Sequence, residues 1–132
     1  MKYITAFPTL AIVIAAYLLM AAGGDMLIDG DAYSMTLASG AEMTLRGGDF
    51  FVIAGLVALF LEMVKAARPG RAAVLDHVLS VATFVVALVC FLLVDYAGSA
   101  TFFILTLMTL IDVIAGFVIS LLSARRDHGA GR

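Results

Sequence analysis

Asp112 stands inside the stretch TFFILTLMTLIDVIAGFVISLLSA, Thr101 to Ala124, where most other residues are apolar. Positions three or four apart share a helix face. Thr106, Thr109, Asp112, Gly116 and Ser120 therefore form one small, polar stripe, while Ile104, Leu107, Ile111, Ile114 and Leu121 cover much of the remaining surface. The stripe is read as facing other helices, because small residues allow close approach and hydroxyls can bond across the gap. An ionised carboxylate near the middle of a bilayer costs on the order of 3 kcal/mol on insertion scales. Two chemistries fit such a residue. It is either a protonatable site on a proton or cation path, or a protonated acid that locks the helices by bonding Thr83 or another hydroxyl.

A second group of polar residues sits near the ends of two other apolar segments: Glu62, then Asp76, His77, Ser80 and Thr83. Antiparallel neighbours would bring Glu62 and His77 to similar depth. Lys65 lies three positions after Glu62, close enough for an ion pair on one helix face. A relay from Glu62 and His77 through Ser80 and Thr83 to Asp112 can be drawn. The competing reading is interfacial: ion pairing by Glu62 and helix capping by Asp76, which the helix dipole favours. Carboxylate and imidazole are ordinary metal ligands, but no HxxxH or ExxH spacing supports a metal site. No GxSxG, Walker or Rossmann pattern occurs, and no Ser or Thr has a His partner at a recognisable spacing. Neither an enzyme nor a cofactor is expected. Cys90 is the one cysteine, within an apolar run, and is read as packing.

The elements that must carry these residues follow from composition. Of 132 residues, 64% are hydrophobic and 14% charged, and the mean hydropathy is +1.12. Soluble domains are about half apolar and about a quarter charged, so both departures indicate a membrane protein. The net charge of −2 and the lack of a basic patch speak against nucleic acid. Four apolar runs approach the about 20 residues that a helix needs to cross a bilayer: 4–22, 50–67, 74–94 and 101–124. Unpaired backbone groups are not tolerated in lipid, so the runs are predicted as helices. The first is longer than a usual signal-peptide core and is read as a retained helix. Short connections imply an all-α, up-down antiparallel bundle of four transmembrane helices. Lys2, Lys65, Arg68, Arg71, Arg125, Arg126 and Arg132 fall on one side, with only Arg46 on the other. That asymmetry places both termini in the cytoplasm.

The long first loop holds AYSMTLASGAEMTLRGG, which alternates apolar and polar residues on both sides of Ser39-Gly40. Over 33–46 a hairpin is predicted, with Ser39-Gly40-Ala41 as its loop. Met35 would then face Leu45, Leu37 would face Met43, Thr36 would face Thr44, and Ser34 would face Arg46. The alternation puts Met35, Leu37, Met43 and Leu45 on one apolar face. A lone hairpin is marginal in water, so that face is expected to lie on the bundle end, on lipid or on a partner. Gly23-Gly24 and Gly47-Gly48 bracket the loop and are read as its hinges.

The segments DHVLSVATFVVALVCFLLV and STFFILTLMTLIDVIAGF, with the hairpin and GGDFFVIAGLVALFLEMVKAARPGR, resemble a group of small, uncharacterised four-helix inner-membrane proteins of proteobacteria. The resemblance covers about Tyr33 to Asp127. It implies a bacterial inner membrane and lends no activity. The layout of four helices with a hairpin after the first is also similar to that of claudins, but the claudin Trp and paired Cys are absent from this loop. The functional expectation is a non-enzymatic membrane protein that works through contacts with a membrane-protein partner, as an accessory, assembly or scaffold subunit. The alternative is a homo-oligomeric proton- or cation-conducting protein built on Asp112.

Overall fold

A computed structural model of the chain describes residues 7–24, 26–68 and 72–130. In chain order it has α1 (Thr9–Ala22), a single turn α2 (Met26–Asp29), β1 (Asp31–Thr36), β2 (Glu42–Arg46), α3 (Gly47–Ala66), α4 (Ala72–Leu93), a 3₁₀ turn at Asp95–Ala97, and α5 (Ala100–Ala130). The protein is mostly helical, with one small antiparallel sheet.

Three helices are long and apolar enough to cross a membrane: Gly47–Ala66, Val74–Leu93 and Ala100–Arg126. Their outward surfaces are bare of polar cover, as at Phe60, Leu92 and Leu93, which are 66%, 68% and 80% exposed. Helix α1 has only 14 described residues, about 21 Å at 1.5 Å per residue. Its expected start at Ile4 lies outside the described residues; Phe7 and Pro8 precede the helix, and Pro8 is its extended N-cap. The other boundaries also move. Helix α3 begins at Gly47, three residues before the predicted Phe50, because Asp49 accepts the Arg46 N–H at 2.8 Å and secures the first turn. Helix α5 runs past the predicted Ala124 to Ala130, through Arg125 and Arg126.

Consecutive long helices reverse direction, but α3 and α4 hardly touch each other. Helix α5 packs against both, and α1 packs against α3. Helices α3 and α5 are parallel neighbours: Gly55 lies against Leu105 and Met108, where an added Cβ would come within 2.8 Å of both side chains. The core joins Leu10, Ile14 and Tyr17 of α1 to Ala58 and Leu59 of α3, Ala87 of α4, and Phe102, Leu105 and Met108 of α5. Tyr17 organises its far end. The ring packs on Phe51 and Phe102 at centroid distances of 5.3 and 5.4 Å. Its hydroxyl meets Ser99 Oγ at 2.5 Å, and that oxygen caps α5 by accepting the Phe102 N–H at 3.1 Å. The fourth edge, between α1 and α4, is an open apolar groove of about 280 Å³ that includes Ala11, Ala15, Ala82 and Thr83.

The hairpin forms, but in a different register. Met35 pairs with Met43, Tyr33 with Leu45, Ser34 with Thr44, and Thr36 with Glu42. The predicted pairs Met35–Leu45, Leu37–Met43, Thr36–Thr44 and Ser34–Arg46 are thus wrong by two positions. Gly40 is the reason. A three-residue hairpin loop closes on a left-handed residue at its last position, and Gly40 has φ 85°. The loop is therefore Ala38-Ser39-Gly40, with Gly40 N–H donating to Leu37 O at 2.9 Å and Leu37 N–H to Ala41 O at 2.8 Å. A shift of two leaves the faces unchanged, so Tyr33, Met35, Leu37, Met43 and Leu45 share one side. β1 is exposed throughout, while Met43 and Leu45 are partly covered. Gly47, read as a hinge, serves close approach instead: an added Cβ would lie 1.9 Å from Leu27 O.

Candidate functional site

Glu62 is delivered by α3, Asp76, His77 and Ser80 by α4, and Asp112 by α5. At the junction of these helices the five side chains line a small cavity of about 20 Å³, completed by Ala66, Gly116 and Ser120. That volume admits one water molecule. Glu62, Ser80 and Asp112 are 4%, 7% and 6% exposed and form its inner wall. Asp76, His77, Ala66 and Ser120 are less buried and form the mouth, at the end of the bundle where α3 turns into α4. Gly116 makes the room: a Cβ there would sit 3.0 Å from His77 Nδ1.

Glu62 is fully engaged. Pro8 and Thr9 open α1, and a first-turn N–H has no carbonyl within its own helix. The Thr9 N–H donates to Glu62 Oε1, and Thr9 Oγ1 donates to the same oxygen at 2.7 Å, with the Ala58 carbonyl 3.1 Å away. Lys65 Nζ lies 3.0 Å from Glu62 Oε2 and also donates to the Phe7 carbonyl at 3.0 Å. A carboxylate from α3 therefore caps α1, where the dipole favours negative charge. Sequence reasoning paired Glu62 with Lys65 but missed Thr9. The available signal was the Pro-Thr pair at a helix start, which calls for an acceptor.

Asp76 Oδ1 and His77 Nδ1 are buried with no hydrogen-bond partner among the described residues. Buried polar atoms are seldom left so, and each costs about 1–3 kcal/mol when unpaired. The cavity is the place where such atoms find a water or a proton. Ser80 stands beside Asp112.

The remaining predicted residues are not part of this assembly. Thr83 donates to Leu79 O at 2.8 Å and lines the α1–α4 groove. Neither the Thr83–Asp112 lock nor the step of the relay through Thr83 is built. Each three-residue step falls about 60° short of a full helical turn, so Thr83 rotates away from α5 while Ser80 stays beside it. Thr106 and Thr109 are buried on the inward stripe, but their hydroxyls turn back to their own helix, to Phe102 O at 2.9 Å and Thr106 O at 2.6 Å. Beyond them Leu105, Met108, Ala58 and Leu59 close the core. The cavity has a polar mouth, and beyond its inner wall the described core is apolar apart from Thr106 and Thr109.

Among the described residues no group of three or more His, Cys, Asp or Glu is placed to hold a metal ion. The chemistry available is proton exchange between carboxylates, an imidazole and hydroxyls. No protein family, curated protein or solved structure matches the chain.

Proposed function

We propose that the chain is a small, non-enzymatic protein of a bacterial inner membrane that acts as an accessory or assembly subunit through protein contacts. All four apolar runs, 4–22, 50–67, 74–94 and 101–124, would cross. The seven-to-one basic asymmetry puts both termini in the cytoplasm and the hairpin outside. A C-terminal alkaline phosphatase fusion is then inactive, and an active one overturns the orientation.

The observation that carries the reading is the hairpin. Its face presents Tyr33, Met35 and Leu37, 53%, 40% and 41% exposed, and none of these is covered by the described helices. The same end of the molecule carries Asp29, Asp31, Glu42, Asp49 and Asp95 against Arg46 alone, an excess of four negative charges among the described residues. An acidic rim repels an anionic lipid surface and a second copy of itself. It suits a membrane protein whose own apolar patch is bordered by Lys or Arg, since complementary charge steers association. Native-detergent purification with quantitative mass spectrometry tests this. The wild type is expected to retain a stoichiometric partner. Leu37→Asp and Met43→Asp are expected to lose it, and Glu42→Lys to weaken it, with insertion unchanged in each case. Equal recovery from all variants, or a wild type that purifies as a homo-oligomer alone, refutes docking through this face.

The second reading, a proton- or cation-conducting oligomer, draws support from the polar pocket around Asp112. The apolar floor beneath that pocket counts against a continuous path in this conformation.

A further inference from the structure

The helices join polar groups that sequence separation keeps apart, and they do so in a small cavity near one end of the bundle. Its mouth is formed by part-exposed residues, Asp76, His77 and Ser120; its inner wall by Asp112 and Ser80, both more than nine-tenths buried. Two polar atoms at the mouth, Asp76 Oδ1 and His77 Nδ1, are buried and lack partners among the described residues. Glu62 is held by Thr9 and Lys65 and is not free to take part. Gly116 leaves the space that His77 Nδ1 occupies.

We propose that this pocket is a one-sided proton-binding site, in which Asp112 takes up one proton that reaches it past Asp76 and His77 from the side of the α3–α4 turn. The proton comes from water at the mouth: hydronium gives up H⁺ to the carboxylate and becomes water, and the reverse step returns it to the same side. Beyond Asp112 the described core is packed by Leu105, Met108, Ala58 and Leu59, which leaves the mouth as the route in and out. The groups that face Asp112 are Glu62 and Lys65 from α3 and Asp76, His77 and Ser80 from α4. On its own helix Ser120 lies two turns further on and bonds Gly116 O at 2.8 Å. Helix α1 contributes no charged group among Thr9–Ala22; its one titratable side chain, Tyr17, is at the opposite end of the core. The floor distinguishes this site from a channel: the pocket senses the proton concentration of one compartment and does not pass protons to the other. The inference does not rest on docking through the hairpin, and either can fail alone.

Carbodiimides test it, because they add across a protonated carboxyl group and leave a carboxylate unmodified. The full-length chain in proteoliposomes is treated with dicyclohexylcarbodiimide over a pH series, and the label is mapped by peptide mass spectrometry. One label per chain on Asp112 is expected, decreasing as pH rises. It is absent from Asp112→Asn, which keeps the side chain's size, and present in Asp112→Glu. His77→Gln is expected to move the midpoint of the pH dependence, whereas Thr83→Val, outside the pocket, leaves it in place. Applied from one side, a water-soluble carbodiimide labels Asp112 only from the side of the α3–α4 turn. Labelling that is independent of pH, spread equally over Glu62, Asp76 and Asp112, or absent in a folded wild type overturns the site. Equal labelling from both sides overturns its one-sidedness, as does dye-reported proton flux that vanishes in Asp112→Asn.

Discussion

Replacing Glu62 by alanine removes the acceptor that holds the start of α1. The Thr9 N–H belongs to the first turn and has no intrahelical carbonyl to fall back on. Thr9 Oγ1 does have one, since the Ala58 carbonyl is 3.1 Å away. Lys65 Nζ likewise keeps the Phe7 carbonyl at 3.0 Å. Only the backbone bond and the ion pair are lost outright. A hydrogen bond to a charged group contributes about 1.5–3 kcal/mol, so Glu62→Ala is expected to cost ~2–3 kcal/mol. Glu62→Gln preserves an acceptor oxygen but not the charge; the helix-terminal part of that charge contributes about 0.3–1 kcal/mol, and the variant should fall between alanine and wild type. Because Thr9 and Glu62 touch, Thr9→Val and Glu62→Ala should be non-additive by about 0.5–3 kcal/mol. Reversible unfolding in mixed micelles titrated with dodecyl sulfate, followed by helical circular dichroism, measures the wild type, the three single variants and the double variant. The capping argument is refuted if Glu62→Ala stays within about 0.5 kcal/mol of wild type, the ordinary range for an inconsequential surface change, or if the two substitutions add.

Tyr17→Phe keeps the ring between Phe51 and Phe102 but deletes the hydroxyl that meets Ser99 Oγ at 2.5 Å; a loss of ~1 kcal/mol is expected in the same unfolding assay, and no change would mean that Ser99 caps α5 without help. Gly47→Ala puts a Cβ 1.9 Å from Leu27 O and 3.1 Å from Ile28 Cα, both backbone atoms that cannot swing aside. The junction of α2, β2 and α3 should open, visible as faster amide exchange in Glu42–Arg46 with the cores of α4 and α5 unaffected; unchanged exchange would show that the junction yields without cost.

Apolar run length alone predicted four membrane-crossing helices, because lipid leaves the backbone no other way to satisfy its hydrogen bonds; three of them are long and apolar enough to cross as described. Periodicity also placed Thr106, Thr109 and Asp112 on a buried stripe, since the helix repeat is a local property. Alternation likewise told which hairpin residues share a face, but not which residues oppose. That choice depended on where a single left-handed residue, Gly40, sits in the loop. The pocket was beyond local rules altogether. Thr9 and Glu62 are 53 positions apart, and His77 meets Gly116 only because α5 lies between α3 and α4. The order of helices around a core is set by which surfaces interlock, here the fit of Met108 and Leu105 against Gly55. A one-dimensional pattern records which face of each helix is apolar or polar, and leaves open which neighbour that face will meet. Tertiary packing made that decision: it gave Glu62 to Thr9, turned Thr83 towards the groove, and left Asp112 on the inner wall of a small polar cavity.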